Sequence, residues 1–308
     1  MTNPDLTQSI PQATVPRPTP IGKARLLLKA MRPKQWVKNG LIFAALIFSQ
    51  NFLSPLSCAK ALLAFIAFSF VSSALYLVND VLDVEHDRVH PTKRFRPIAS
   101  GQLTKSAAIT TSALLFVTAI AISTSVNLAF LGIVLIYATN TLIYTFKIKH
   151  LVILDVMSIA AGFVLRAIAG ALAIGVLISP WLLLCTGLLA LFLGFGKRRH
   201  EIQLLAENAS NHRKNLRSYS LRLLDEMMAI VTASTVMAYS MYTFSAHDDP
   251  WMMTTIPFVL YGIFRYQYLT DQEDHGGAPD ETLLSDRPLQ ATILLWGLAA
   301  AVALYLGN

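Results

Sequence analysis

The sequence predicts an all-α integral membrane protein: a nine-helix transmembrane bundle with an N-terminal interfacial amphipathic helix and cytoplasmic loops that carry the active-site chemistry. Three observations carry this expectation. The 308 residues are 54% hydrophobic and only 14% charged, and mean hydropathy is +0.52, outside the range of soluble domains. Apolar runs near the roughly 20 residues that cross about 30 Å of hydrocarbon recur along the chain. The bases between those runs fall on one side when the runs alternate in direction.

Taken in order, residues 1–20 read as a disordered tail with Pro11, Pro16, Pro18 and Pro20 and no apolar run of a secretory signal. Residues 21–308 are expected to form a single transmembrane catalytic domain. It opens with IGKARLLLKAMRPKQWVKN (21–39), where Leu26, Leu27 and Ala30 share a side that Lys23, Arg25, Lys29 and Arg32 avoid. That pattern predicts an interfacial helix with Trp36 at headgroup level. Spans follow at approximately 39–54, 59–78, 106–125, 128–145, 153–176, 180–196, 224–244, 252–269 and 290–307. The first is short and the fifth contains Arg166, so hydropathy alone accommodates eight or ten. Charge decides for nine. With the N-terminus cytoplasmic, the bases from Arg17 to Lys38, from Arg88 to Lys105, Lys147, Lys149, those from Lys197 to Arg222, Arg265 and Arg287 all lie inside, and only Lys60 lies outside. The C-terminus is then outside the cell membrane.

The net charge of +7 therefore reflects topology and contact with anionic lipid, and a nucleic-acid partner is not expected, because the bases flank spans instead of forming a soluble face. Cys58 and Cys185 sit at or within spans and read as buried thiols. Outer connections are short, whereas inner ones at 79–105 and 197–223 run to about 27 residues and 270–289 to about 20, lengths that usually mark function. Of 18 acidic residues only Asp248 and Asp249 fall outside. Function is expected at the cytoplasmic face.

The most informative stretch is NDVLDVEHDRVHPTKRFRPIASG (79–101). Asp80, Asp83 and Asp87 recur at i, i+3 and i+7, one face of a helix continuing out of the second span, with Asn79 beside them. Like charges on one face repel unless neutralised, and a hard divalent ion is the usual neutraliser. Mg²⁺ held by Asn79, Asp80, Asp83 and Asp87 is the natural inference, since that ion keeps positions for phosphate oxygens. Lys93, Arg94 and Arg96 follow between Pro91 and Pro97, which break any helix. An acidic metal-binding face beside a basic loop suits a diphosphate. A solvated helix end and a positive-inside anchor are the plainer readings of the same residues. His86, His90 and His200 lack zinc spacing.

RPKQWVKN (32–39), the 79–101 stretch, YTFKIKHLVILD (144–155) with GFVLRAIAGA (162–171), and GFGKRRHE (194–201) together resemble the UbiA-type prenyltransferase superfamily, and within it the decaprenyl-phosphate phosphoribosyltransferase branch. The resemblance implies a UbiA-like, Mg²⁺-dependent transfer of 5-phosphoribose from 5-phosphoribosyl 1-diphosphate to a polyprenyl phosphate at the lipid bilayer, releasing diphosphate and making a precursor of arabinose-donor lipids. On that basis Asp80, Asp83 and Asp87 with Asn79 bind metal and diphosphate. Lys93, Arg94, Arg96, Lys197 and Arg198 hold phosphates, the acceptor phosphate lies near Lys34, Lys38 or Arg166, and Tyr144, Lys147 and Glu201 complete the set. The superfamily's second aspartate-rich motif is replaced here by GKRRHEIQLLAE, with Glu201 the nearest acid; this favours a grip on an extra phosphate over a second carboxylate-held metal. Asp155 and Arg166 fall on nearly one helix face about 16 Å apart, which fits either a structural role or an anion contact for the arginine. Asp286 and Arg287 are the candidates in the last loop. Two other functions fit the residues alone. One is a prenyltransferase in which the lipid carries the diphosphate, and the other is a transporter, whose acids would line a crossing path instead of clustering at one face.

Overall fold

The protein is described by a computed structural model over residues 20–207, 219–245, 250–272, 282 and 285–306. Among these residues every regular element is helical: α1 (Pro20–Ala30), α2 (Phe43–Phe48), α3 (Pro55–Leu82), α4 (Val84–Val89), α5 (Lys105–Val126), α6 (Leu128–Phe146), α7 (Leu154–Ile174), α8 (Pro180–Glu207), α9 (Leu221–Ser245), α10 (Ile256–Gln272) and α11 (Arg287–Leu306), with short 3-10 turns between several of them. Seven helices, α3, α5 to α9 and α11, are long and apolar enough to cross a membrane. The all-α, multi-pass class is thus as expected, and among the described residues seven of the nine expected spans are long apolar helices. The run expected at 39–54 is divided among the 3-10 stretch Pro33–Ile42, the six-residue α2 and the turn Asn51–Leu53. Gln50, at φ 56, breaks it in the left-handed region. The run expected at 252–269 becomes a 3-10 turn, Pro250–Thr255, followed by the 17-residue α10. The expected tail over residues 1–19, Asp248 and Asp249, and the middle parts of the 197–223 and 270–289 connections lie outside the described residues.

Local chemistry sets the helix ends. Ser54 caps α3 by accepting the Ser57 N–H (3.3 Å) ahead of Pro55. Thr104 and Asn127 do the same for α5 and α6, at 3.2 and 2.7 Å. Gly175, at φ +75, closes α7 in the conformation that glycine adopts without strain. At 28 residues, α3 is about 42 Å long, so its last turns outrun the hydrocarbon and carry Asn79 and Asp80 to the polar edge.

Successive helices are neighbours. One apolar core joins α3, α5, α6 and α7 around Phe68, Phe130 and Val134; a second joins α7 to α8, α9, α10 and α11 around Phe192, Leu224 and Tyr266. The two ends of the chain meet as well, because Phe48 packs its ring on Tyr242 and Trp296 and Gln50 Nε2 donates to the Leu304 carbonyl (3.3 Å).

The 3-10 stretch between α1 and α2 is held by polar partners on the neighbouring helices. Ser73 Oγ donates to the Met31 carbonyl (2.9 Å), Trp36 Nε1 donates to Ser73 Oγ (3.0 Å) and Asn39 Nδ2 donates to Ser69 Oγ (3.1 Å). From the other side Arg166 donates through Nε to Asn39 Oδ1 (2.7 Å), through Nη1 to the Gly162 carbonyl (2.8 Å) and through Nη2 to Tyr137 Oη (2.8 Å). Gly170 then lets the backbones touch: a Cβ there would lie 2.0 Å from the Ile42 carbonyl oxygen. Gly170→Ala is accordingly expected to cost about 2 kcal/mol or more of stability, seen as a lower melting temperature of the solubilised protein, whereas Gly132→Ala, which meets nothing within 4 Å, leaves it within error.

Candidate active site

Where α3 ends, the chain departs from the single continuous helix expected from the acid spacing. Asp83 sits at φ −89, ψ 8, ends α3 and starts the short α4. The three carboxylates therefore do not share one face. Asp80 and Asp87 are buried and converge on Arg96, whose Nη1 lies 3.1 Å from Asp80 Oδ1 and 2.6 Å from Asp87 Oδ2. Asp80 Oδ1 also pairs with Arg32 Nη2. Asp83 turns away to Lys149 Nζ, at 3.0 and 3.4 Å from its two oxygens. Among the described residues no three acids, histidines or cysteines gather as a cation cage; the acids are instead matched three against three by bases.

Those bases come from three separate 3-10 turns. Arg32 precedes the turn starting at Pro33, Arg96 follows Lys93–Phe95, and Lys149 lies within Ile148–His150. Each has a second base two residues away: Lys34, Arg94 and Lys147. One base of each pair reaches the acids, and the other, Lys34, Arg94 or Lys147, is exposed. An inner ring of bases neutralises the acids and an outer ring faces solvent.

A second charged group lies at the same end of the bundle, where α7 begins and the polar end of α8 lies. Arg198 Nε donates to Asp155 Oδ2 (2.9 Å), and its Nη1 donates to Glu201 Oε2 (2.5 Å). Asp155 is completely buried, and its Oδ1 accepts from Tyr219 Oη (2.9 Å), which in turn accepts the Ile153 N–H (2.5 Å). That contact holds a γ-turn, in which Leu154 N–H reaches the Val152 carbonyl (2.8 Å) across Ile153 at φ 70, ψ −50, a conformation that is strained for a β-branched residue. Burial pushes the Tyr219 phenol up to about 12, so it remains a donor to Asp155. Arg199 bridges Asp225 (2.7 Å) on α9 and Asp271 (2.9 Å) on α10. Arg265 pairs with Asp286 (2.8 Å), whose Oδ1 also accepts the Leu289 N–H (2.8 Å) and so caps α11.

The structure brings together Asp80, Asp87 and Arg96, and sets Asp83 beside them on Lys149. Asn79 is half-buried, and its carbonyl accepts the Asp83 N–H (2.9 Å). Lys93 is half-buried in the turn that it shares with Arg94 and that Arg96 follows, and Arg94 lies over the Phe95 ring at 4.8 Å. Lys38 Nζ donates to Gln35 (2.5 Å). Tyr144 is half-buried one turn before Lys147, and Lys197 half-buried beside Arg198. Arg198 and Glu201 are joined to each other in the second group. Arg166 is not gathered with the acids; it is 5% exposed, sits against the Tyr137 and Phe163 rings and has all three of its nitrogens engaged by neutral partners. Arg287 is exposed. Arg32, Lys149 and Tyr219 stand outside the expected set. The paired spacing in RPK and KIK signals the first two, but Tyr219 is 64 residues from Asp155 and no local pattern announces it.

A multi-pass helical bundle with acids and bases gathered at one end is the architecture of a membrane-embedded transferase. The fold matches that of a UbiA homologue from Archaeoglobus fulgidus bound to GPP and Mg²⁺, with a TM-score of 0.70 at 17% identity over 90% of this chain and 99% of that one. It also matches a digeranylgeranylglyceryl phosphate synthase structure, with a TM-score of 0.66 at 19% identity over 91% and 98%. Residues 40–284 match the UbiA prenyltransferase family, and the chain belongs to it. It is 38% identical over 305 residues to the decaprenyl-phosphate phosphoribosyltransferase of Corynebacterium glutamicum, covering 94% of this chain and 90% of that one. Identity is 36% over 297 residues to the Mycolicibacterium smegmatis protein of the same name, covering 91% and 92%, and 35% over 288 residues to that of Mycobacterium tuberculosis, covering 90% and 94%.

Two outcomes follow from the ion pairs. Arg198→Met, which removes the arginine charge facing the buried Asp155, is expected to cost about 3–5 kcal/mol, and adding Asp155→Leu recovers part of the loss; thermal unfolding of the single and double variants measures both. The hydrogen bond from Arg265, with that from the Leu289 N–H, holds the Asp286 carboxyl below its ordinary range. Its stabilisation is full above the usual aspartate value of about 3.9 and is lost as pH falls through the depressed one. The melting-temperature gap between wild type and Asp286→Ala should therefore be open at pH 7 and close below that value.

Proposed function

We propose that the chain transfers 5-phosphoribose from 5-phosphoribosyl 1-diphosphate to a polyprenyl phosphate of the decaprenyl type and releases diphosphate, using Mg²⁺ at the cytoplasmic face of the cell membrane. The observation that carries this reading is the 35–38% identity, over nine-tenths of the chain, to proteins named for that reaction. The N-terminus is then cytoplasmic and the C-terminus outside, which accords with the inward bias of the bases, and residues 21–308 act as one catalytic domain.

The donor set suits the ion. Asp80 Oδ1 and Asp87 Oδ2 converge on a single cationic nitrogen, Arg96 Nη1, so two carboxylate oxygens already face the place of one small positive charge. Asp80 and Asp87, helped by Asn79 and Asp83, would hold Mg²⁺. When bound, the ion neutralises charge building on the departing diphosphate. The exposed Lys34, Arg94 and Lys147 take the remaining phosphate charge, with Lys38 and Lys93 nearby in sequence and Lys197 on α8. Arg198 and Glu201 act by fixing α8 against Asp155, and Tyr144 shares that corner.

In the reaction the ribose C1–O bond to diphosphate breaks, its electron pair leaving with the diphosphate, and an oxygen of the acceptor phosphate forms the new C1–O bond. That oxygen is already anionic, so no side chain has to remove a proton. The protein contributes orientation and charge stabilisation of an oxocarbenium-like transition state. The prenyl chain lies along the lipid-facing helices, many of whose large apolar side chains are exposed.

With purified protein in lipid nanodiscs, labelled 5-phosphoribosyl 1-diphosphate, decaprenyl phosphate and Mg²⁺ are expected to give a labelled phosphoribosyl lipid. Asp80→Asn, checked for folding, should lower kcat/KM by about a hundredfold or more. Diphosphate release from a prenyl diphosphate, with no turnover of the phosphoribosyl donor, would contradict the proposal and point to the lipid as donor.

A further inference from the structure

The three bases around the acids are not equivalent. Arg32 lies over the Tyr76 ring at 4.9 Å as well as on Asp80, and Lys149, 13% exposed, pairs with Asp83. Arg96 is 26% exposed, and one of its nitrogens spans two carboxylates from different helices, Asp80 on α3 and Asp87 on α4. It follows a three-residue 3-10 turn; its backbone N–H donates to the Lys93 carbonyl (2.9 Å) and its carbonyl accepts the Ser100 N–H (2.9 Å). Its guanidinium thus occupies the bridging position between the two buried acids of the cluster while retaining a route to solvent.

Charge makes this arrangement consequential. Asp80, Asp83 and Asp87 carry three negative charges, and Arg32, Arg96 and Lys149 carry three positive ones. As it stands the inner cluster is neutral and attracts a diphosphate weakly. A divalent cation placed between Asp80 and Asp87 must compete with Arg96 for the same oxygens. If Arg96 yields, the acids, the two remaining bases and the metal together carry one positive charge, and the released guanidinium adds a second within side-chain reach of whatever anion the metal holds.

We propose that Arg96 is an exchangeable counter-ion: it closes the Asp80–Asp87 pair in the absence of metal and moves to the diphosphate when a divalent cation takes its place. This rests on the metal-and-diphosphate reading of the site given above and adds a coupling to it. Metal binding releases a diphosphate ligand, and diphosphate, by holding Arg96 away from the acids, raises metal affinity by the same factor. The neutral resting cluster also spares the protein three unmatched carboxylates at the membrane edge when metal is absent.

The test measures Mn²⁺ binding to the full-length protein in nanodiscs, by electron paramagnetic resonance of free Mn²⁺, with and without inorganic diphosphate. Wild type should bind Mn²⁺ weakly alone and about tenfold or more tightly with diphosphate. Arg96→Gln should bind Mn²⁺ alone about tenfold more tightly than wild type and gain no more than about threefold from diphosphate. Arg96→Lys, which keeps the charge but cannot fork between two carboxylates, should fall between, and supplies the comparison if the glutamine variant does not fold. Arg94→Gln, which removes the same charge two residues away, should change Mn²⁺ affinity in the absence of diphosphate by less than about threefold. Wild-type binding that Arg96→Gln and Arg96→Lys leave unchanged or weaken overturns the exchange while leaving the metal site standing. No Mn²⁺ binding to folded wild type, with or without diphosphate, overturns the metal reading itself.

Discussion

Three carboxylates at the junction of α3 and α4 have to be matched by three cations, and the charged end of the molecule is arranged around that requirement. Asp80 and Asp87 are both nearly inaccessible to solvent, and an unmatched charge in that position costs several kcal/mol. The cations arrive from far apart in the chain: Arg32 lies 48 residues before Asp80, and Lys149 lies 66 residues after Asp83. Pairing therefore ties the stretch after α1, the turn before α5 and the α6–α7 corner to the tip of α3. Helix ends that the bilayer would otherwise leave independent become one surface.

The two deeply buried arginines show how differently a guanidinium is accommodated. Arg198 is matched by Asp155 and Glu201, so its charge is satisfied within the protein, and it holds α8 to the strained start of α7. Arg166 has carbonyl, amide and phenol oxygens as partners and two aromatic rings against its face. Both serve packing, which leaves Lys34, Arg94 and Lys147 as the exposed bases of the acid cluster's rim. The replacement of a second acidic motif by a basic one after α8 thus has a structural reading beside the chemical one: Arg198 and Arg199 together reach acids on α7, α8, α9 and α10.

Much of this was legible in the sequence because it rests on local pattern. Apolar length gave nine spans, seven of which form long helices among the described residues, and the crowding of acid and base between Asn79 and Gly101 marked the site. Pro91 and Pro97 signalled the end of helix after the acids. What escaped depends on partners distant in the chain. The helix break at Asp83 is invisible to an i, i+3, i+7 count, because it follows from Asp83 pairing with Lys149 while Asp80 and Asp87 share Arg96. Asp155 and Arg166 lie suitably on one face of α7, yet each finds its partner on another element. The stretch at 39–54 is apolar enough to suggest a helix, but its path is broken, with Asn39 bonded to Ser69 on α3 and Arg166 on α7 and Gln50 to the Leu304 carbonyl on α11.

The account stands or falls on which bond the protein breaks. Polyprenyl phosphate carrying ¹⁸O in its terminal phosphate, turned over with 5-phosphoribosyl 1-diphosphate and Mg²⁺, tests this directly by mass spectrometry of both products. The expected result is that all of the label stays in the phosphoribosyl lipid and the released diphosphate is unlabelled, since the ribose C1–O bond is cut and the acceptor oxygen is retained. Label in a released inorganic product, or loss of ¹⁸O from the lipid, would mean that a phosphorus–oxygen or prenyl–oxygen bond is cut instead and would contradict the assignment.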